Sequence, residues 1–209
     1  MTSIKRRGIL FVLSSPSGAG KSSIAKRILA DCDNIKMSVS ATTREPRSAE
    51  IDGKDYYFYS QDKFHNMVEK GDFLEYAKVF LNYYGTPKVP VMDALKKGHD
   101  VFFDIDWQGA QTLMENAGDD LVKIFILPPS TSELEKRLRN RAQDSCEVVA
   151  QRMSKSADEM SHYAEYDWVI VNEDFEKSVT AVKAIIESER LKRTRQIGLR
   201  DFVQNLIKG

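Results

Sequence analysis

Four short, unbroken apolar runs constrain this chain more than any other feature. They occupy residues 9–13, 101–105, 124–127 and 168–171, and the second closes on acids. A run without polar alternation offers no face to water, so each reads as a strand buried on both sides of a sheet. Helical patterns separate them, at residues 22–30, 89–97, 132–141 and 147–163, with a long charged helix from about residue 176. Ser132 and Glu135 have the spacing of a capping box at the start of the third of these. Strands alternating with helices imply an α/β fold with a parallel sheet covered on both faces. Shorter strand patterns fall at 37–41, 56–59 and 73–79, around a polar loop over 42–54 and a helix over 61–70 that carries Phe64, Met67 and Val68 on one face. A length of 209 residues suits one domain, or one core with insertions, that needs no covalent staples.

Charge and cysteine usage narrow the function. Lys plus Arg and Asp plus Glu number 31 each, for a net charge of zero. That balance argues against a nucleic-acid or membrane-surface partner, whose affinity would rest on excess positive charge. Phosphate binding would have to come from local basic residues. Cys32 and Cys146 lie far apart, and neither is spaced with His65, His99 or His162 as a metal site requires. Both read as ordinary thiols of a reducing compartment. The opening Lys5-Arg6-Arg7 and apolar run imitate a signal peptide, but the run is too short and no small-residue cleavage site follows. No stretch approaches the ~20 apolar residues of a membrane span. A cytoplasmic protein is expected.

The sharpest local signal is Ser15-Pro16-Ser17-Gly18-Ala19-Gly20-Lys21-Ser22, between the first strand and the first helix. It fits the Walker A phosphate loop except that Ser15 stands where the pattern has its first glycine. Gly18 and Gly20 would let the backbone curl until successive N–H groups point inward, beside a helix N-terminus. Lys21 would then reach the β- and γ-phosphates, and Ser22 would ligate Mg²⁺.

Further segments are similar to those of guanylate kinases. They are Ser17 to Ser22, Ser38-Val39-Ser40-Ala41-Thr42-Thr43-Arg44-Glu45-Pro46-Arg47, Gly53-Lys54-Asp55-Tyr56, Phe73-Leu74-Glu75-Tyr76-Ala77, Asn82-Tyr83-Tyr84-Gly85-Thr86 and Asp104-Ile105-Asp106-Trp107-Gln108-Gly109. They are collinear and span most of residues 8–190. The resemblance implies a P-loop NTPase fold: a parallel five-stranded core sheet with helices on both faces, a mixed α/β GMP-binding insertion and a helical lid. A guanylate kinase-like domain is expected over 7–187, with its core at about 7–36, 92–128 and 165–190, the GMP-binding region at about 37–91 and the lid at about 130–160. Residues 191–209 form a tail beyond it. There Leu199, Phe202, Val203 and Leu206 make one apolar helical stripe, which predicts a helix over 198–207 docked on the core or on a second subunit.

The same resemblance implies transfer of the γ-phosphate of ATP to GMP, and to dGMP, with Mg²⁺ as cofactor. ATP and GMP would be the partners of a monomer or homodimer. ATP would be held by Ser15 through Ser23 and by Asn172 near adenine. Arg44 and Arg47, on a polar loop, have the forked guanidinium geometry that binds a monophosphate, with hydroxyls from Tyr56 and Tyr84. Glu50 joins this GMP-binding set. Guanine recognition is assigned to Glu75, Ser40, Thr86 and Asp106. A carboxylate suits that base, because guanine presents two adjacent donors, N1–H and N2–H₂, where adenine presents an acceptor. Asp104 and Asp106 are two apart at a strand's end, so alternation would put both on one face. Asp104 resembles a Walker B acid, which would hold Mg²⁺ directly or through water. Arg137, Arg141 and Arg152 match the lid arginines of nucleotide kinases and would stabilise the phosphoryl group in flight. Non-catalytic scaffolds with a similar domain usually have a degraded phosphate loop, and here Gly20, Lys21 and Ser22 are intact.

Overall fold

In a computed structural model that describes residues 4–79, 81–140 and 146–209, the chain builds two sheets. Its strands are β1 (Leu10–Ser14), β2 (Ile35–Met37), β3 (Ala41–Thr42), β4 (Tyr57–Phe58), β5 (Phe73–Val79), β6 (Asn82–Pro87), β7 (Asp100–Asp104), β8 (Leu121–Leu127) and β9 (Trp168–Val171). Its helices are α1 (Lys21–Asp31), α2 (Gln61–Glu69), α3 (Lys88–Lys96), α4 (Trp107–Ala117), α5 (Thr131–Asn140), α6 (Cys146–Ser161), α7 (Phe175–Leu191) and α8 (Leu199–Lys208).

The larger sheet has five parallel strands in the order β2-β7-β1-β8-β9. The apolar run of β1 is unbroken because both of its faces are covered. Ile9, Phe11 and Leu13 pack with α1 and α7, through Ile24, Ile28, Val182 and Ile186. Leu10 and Val12 pack the other way, against Leu95 of α3 and Ala110 and Leu113 of α4. The smaller sheet, β4-β3-β6-β5, is mixed, and it buries Phe64 and Phe73 in a small cluster of its own. A fourth cluster joins α5 to α6 through Leu134, Leu138 and Val149.

Four sequence expectations change. The strand expected over 37–41 divides between the sheets: β2 ends at Met37 and β3 starts at Ala41. The run 168–171 is not buried, because β9 is the sheet's edge and Trp168, Val169 and Val171 are 40–49% exposed. The cap of α5 is Ser130, whose hydroxyl accepts from the Glu133 N–H at 3.1 Å, while Ser132 lies inside the helix and only meets the Ser130 hydroxyl. Two elements were not anticipated, β6 and α4. The latter is signalled by the Asp106-x-x-Gly109 cap and the helical spacing of Ala110 and Leu113. The tail does form a helix, α8, but no residue of it is buried. Its root is tied down where Gly198 N–H donates to the Lys5 carbonyl at 2.8 Å.

At the end of the sheet remote from the phosphate loop, fully buried Asp100 gathers three segments. One of its oxygens accepts from Arg6 (2.7 Å) and from the Ile9 N–H (2.9 Å), and the other from Arg6 (2.9 Å) and Arg190 (2.8 Å). Removing that carboxylate strands two guanidinium groups and a backbone donor. Asp100→Ala is therefore expected to lower unfolding free energy by about 3–5 kcal/mol, read from urea denaturation at an unchanged m-value. A loss below about 1 kcal/mol would show that the clamp is dispensable.

Candidate active site

The carboxyl ends of the parallel strands carry the site. Ser14 ends β1 and donates its hydroxyl to the Ile105 carbonyl at 2.9 Å, which locks two strand ends together. The chain then turns tightly, with Ala19 N–H donating to the Pro16 carbonyl at 3.2 Å and the Ser15 hydroxyl to the same oxygen at 2.9 Å. Gly18 and Gly20 have φ of 93° and 102°, in the left-handed region that glycine tolerates. At Gly20 a side chain would also run into the Asn172 amide. Gly20 is the N-cap of α1 and supplies no side-chain acceptor, so the first-turn amides face the loop as an anion site.

Lys21 and Ser22 converge on one acid. Lys21 Nζ lies 2.7 Å from Asp104 Oδ1 and 3.1 Å from the Ile105 carbonyl, and the Ser22 hydroxyl donates to Asp104 Oδ2 at 3.0 Å. A hydroxyl and a carboxylate are hard oxygen donors, a set that fits Mg²⁺ completed by phosphate oxygens. Ser23 is exposed on α1 and borders a second hollow of about 280 Å³ with Gly18, Gly20, Arg137 and Asn172. The Asn172 side chain, expected near adenine, instead braces the loop. It is 4% exposed; its Nδ2 donates to the Ala19 carbonyl at 2.8 Å, and its Oδ1 accepts from Ser178 at 3.0 Å. It turns inward because it leaves β9 directly behind the loop.

The smaller sheet builds a second pocket. Antiparallel pairing sets Glu75 of β5 opposite Thr86 of β6. The Thr86 hydroxyl donates to Glu75 Oε1 at 2.6 Å and lies 3.5 Å from the Ser40 hydroxyl. Glu75 is only 9% exposed. Burial pushes its pKa up, Thr86 opposes that, and Asp106 pushes the same way as burial. Asp106 itself lies beyond the end of β7. It does not share a strand face with Asp104, because its carboxylate caps α4, accepting from Gly109 N–H at 2.9 Å.

Arg44 is half-buried and forks onto Glu50, with Nη2 at 2.7 and 2.9 Å from the two oxygens. Its charge lies 5.6 Å from the Tyr56 ring, which meets Tyr84 edge-on at 6.1 Å. Glu50 also accepts from the Arg47 N–H at 2.8 Å, and Arg44 holds its pKa down. Glu50 is thus the counter-ion of Arg44, while the Arg47 side chain is exposed.

On the lid side, Arg137 pairs with Glu133 at 2.9 Å and donates to the Asn172 carbonyl at 3.3 Å. Arg152 is half-buried on α6. Arg141, like Gln143, Asp144 and Ser145, lies outside the described residues. Leu134 and Leu138 of α5 sit against Gly18, so α5 rests on the loop. Sequence reasoning missed Glu159, whose Oε2 accepts from the Ser17 N–H at 3.1 Å. Nothing marks it within the charged pattern of α6.

A parallel five-stranded sheet, a phosphate loop after its central strand and a strand-end acid on the loop's lysine define a phosphate-loop nucleotide kinase. Residues 7–189 match the family model described as guanylate kinase. The chain is 58% identical over 209 residues to the guanylate kinase of Paramagnetospirillum magneticum, covering 100% of this chain and 98% of that one. It is 56% identical over 206 residues to that of Rhodospirillum rubrum, covering 99% and 94%. The crystal structure of guanylate kinase from Anaplasma phagocytophilum superposes with a TM-score of 0.73 at 40% identity, covering 97% and 96%. The chain belongs to the guanylate kinase family.

The Asn172 brace is open to test. Asn172→Ala leaves the Ala19 carbonyl and the Ser178 hydroxyl short of a buried partner, a loss of about 1–3 kcal/mol in stability. The loop should also hold anions less well, seen as a smaller rise in melting temperature with added inorganic phosphate. An unchanged phosphate response would limit Asn172 to packing.

Proposed function

We propose that this enzyme transfers the γ-phosphate of ATP to GMP, yielding ADP and GDP. The observation that carries this reading is the buried Glu75 carboxylate, which accepts from Thr86 beside Ser40 on the smaller sheet. Guanine brings two adjacent donors to it, and adenine would turn a lone pair toward it. Recognition falls on the base rather than on the sugar, so dGMP is a substrate too. The enzyme acts in the cytoplasm on this reading; no helix among the described residues is long and apolar enough to cross a membrane.

ATP lies along residues 15–23, with its phosphates on the loop amides and Lys21. Ser22 and Asp104 would hold Mg²⁺, which when bound supplies charge neutralisation on the triphosphate. Arg44 and Arg47 receive the GMP phosphate, with Tyr56 and Tyr84 beside them. Arg44 must then share or surrender its fork on Glu50. Arg137, Arg141 and Arg152 close over the transferring group, exclude water and stabilise its charge. No covalent intermediate on the protein is needed; holding the GMP oxygen in line with the γ-phosphorus supplies most of the acceleration.

Two variants test the two ends of the site. Lys21→Ala should remain folded and bind GMP while losing about 3 kcal/mol of transition-state stabilisation, on the scale of one preorganised donor; turnover within tenfold of the parent would remove Lys21 from catalysis. Glu75→Gln replaces two acceptors with one donor and one acceptor, a face that suits adenine. It should lose about 1–3 kcal/mol in kcat/KM for GMP while weak activity on AMP holds or rises. An unchanged GMP-to-AMP preference would take base reading away from Glu75.

pH gives a further handle. Glu75 has a raised pKa, so burial favours its protonated form; that stabilising contribution is present below the ordinary carboxylate pKa and is lost as pH rises through the raised one. GMP needs the ionised form. KM for GMP should therefore climb as pH falls through the raised value, more steeply in the parent than in Glu75→Gln, where only the nucleotide's own phosphate titrates. Parallel profiles would remove Glu75 from the binding equilibrium.

A further inference from the structure

The site holds carboxylates where phosphate is expected. Asp104 sits on Lys21, Glu50 on Arg44 and Glu159 on the Ser17 N–H. The first two lie on the elements that build the pockets. Glu159 comes from α6, 142 residues along the chain from the amide it meets. It enters a hollow of about 220 Å³ that it shares with Ser17, Lys21, Ser22 and Asp106.

Its position is held from behind. Just past α6, the His162 ring stacks on Trp107, with centroids 3.6 Å apart and planes inclined by 12°. His162 Nδ1 lies 2.6 Å from Glu165 Oε1, and Gln111 of α4 donates to the other oxygen of Glu165 at 2.8 Å. Trp107 follows Asp106 and opens α4, so the root of α6 is clipped to the floor of the site. Glu159 is therefore aimed into the loop by a fixed helix end. Arg152 lies two turns earlier on the same face of α6.

We propose that Glu159 is an internal anion that occupies the phosphate loop of the nucleotide-free enzyme, and that the ATP polyphosphate must displace it. This rests on the reading that the loop binds ATP phosphates. The Ser17 N–H cannot serve a carboxylate and a phosphate at once, and a carboxylate held in the loop repels a polyphosphate that enters it. The observed ATP affinity is then the intrinsic affinity reduced by the fraction of molecules in which Glu159 has withdrawn. Because the end of α6 is held by the His162–Trp107 stack, withdrawal is a movement of the Glu159 side chain, and it sets the affinity for the donor.

Calorimetric titration without GMP decides the matter. ATP and inorganic tripolyphosphate are titrated into the parent, Glu159→Gln, Glu159→Ala and Lys21→Ala, each checked for an unchanged melting transition. Glu159→Ala should bind both ligands about tenfold more tightly than the parent, a shift of one decade in Kd. Glu159→Gln should fall between them, since it keeps an acceptor but loses the charge. GMP affinity, measured alone, should not move, and in turnover KM for ATP should fall without a rise in kcat. If both Glu159 variants fold yet bind ATP no better than the parent, the carboxylate does not compete and the proposal is overturned. If the parent fails to bind ATP, or Lys21→Ala binds it equally well, the phosphate-loop reading fails first and takes this inference with it.

Discussion

The parallel pairing of β1 with β7 on one side and β8 on the other is the constraint on which the site depends. In that register Leu13 stands beside Asp104, the last residue of β7, and Ser14 beside Phe125, so β1 and β7 end within one residue of each other. The chain leaving β1 must turn at that edge to begin α1. The turn therefore brings Lys21 and Ser22 to the acid that ends the next strand, with no long-range coincidence required. A slip of one residue would send Asp104 to the other face and bury it under α3 or α4. The register is protected by the core itself, since Phe11 and Leu13 fill one apolar layer and Leu10 and Val12 the other.

Three groups in the site that could meet anions already meet carboxylates of the chain: Lys21 meets Asp104, Arg44 meets Glu50 and the Ser17 N–H meets Glu159. Amides and cations gathered for anions are costly to leave unpaired where water is restricted. The chain answers with its own carboxylates, each drawn from a different place: a strand end, a loop and the lid helix. Each is exchangeable because none is sealed in apolar surroundings. Asp100, at the opposite end of the sheet, is the contrast. It is fully buried, meets two guanidinium groups and a backbone amide, and serves only to hold three segments together.

Much of this was legible in the sequence where local pattern and tertiary role coincide. The phosphate loop is one such place, because its glycines, lysine and serine act within a few residues of one another. The central strands are another, because burial on both faces writes itself as an unbroken apolar run. The reading failed where a residue's role depends on a distant partner. The run 168–171 looks like a central strand, yet it lies at the sheet's edge, and sequence cannot count neighbours. Asn172 resembles a ligand contact, but its amide turns to a carbonyl 153 positions earlier. Asp106 keeps the spacing of a strand residue after the strand has ended and has become a helix cap. Glu159 is one acid in a charged helix, and only the folded chain sets it against Ser17.

Glu75 shows why the base pocket belongs on a separate small sheet. A carboxylate buried for recognition destabilises its surroundings unless donors meet it, so the pocket needs a donor that is always present and room for two that arrive with the ligand. Antiparallel pairing supplies the first directly, because Thr86 stands opposite Glu75 and its hydroxyl lies 2.6 Å away. Burial outweighs the Thr86 hydroxyl and N–H, with Asp106 adding to it, and so the group stays above its ordinary pKa. The shortfall is what guanine's two N–H donors remove on binding. A parallel core strand, with its neighbours packed on both sides, would offer no such half-satisfied position. The β5–β6 pair does, because antiparallel pairing sets only Thr86 against Glu75, while Phe64 and Phe73 pack in a cluster that does not include it.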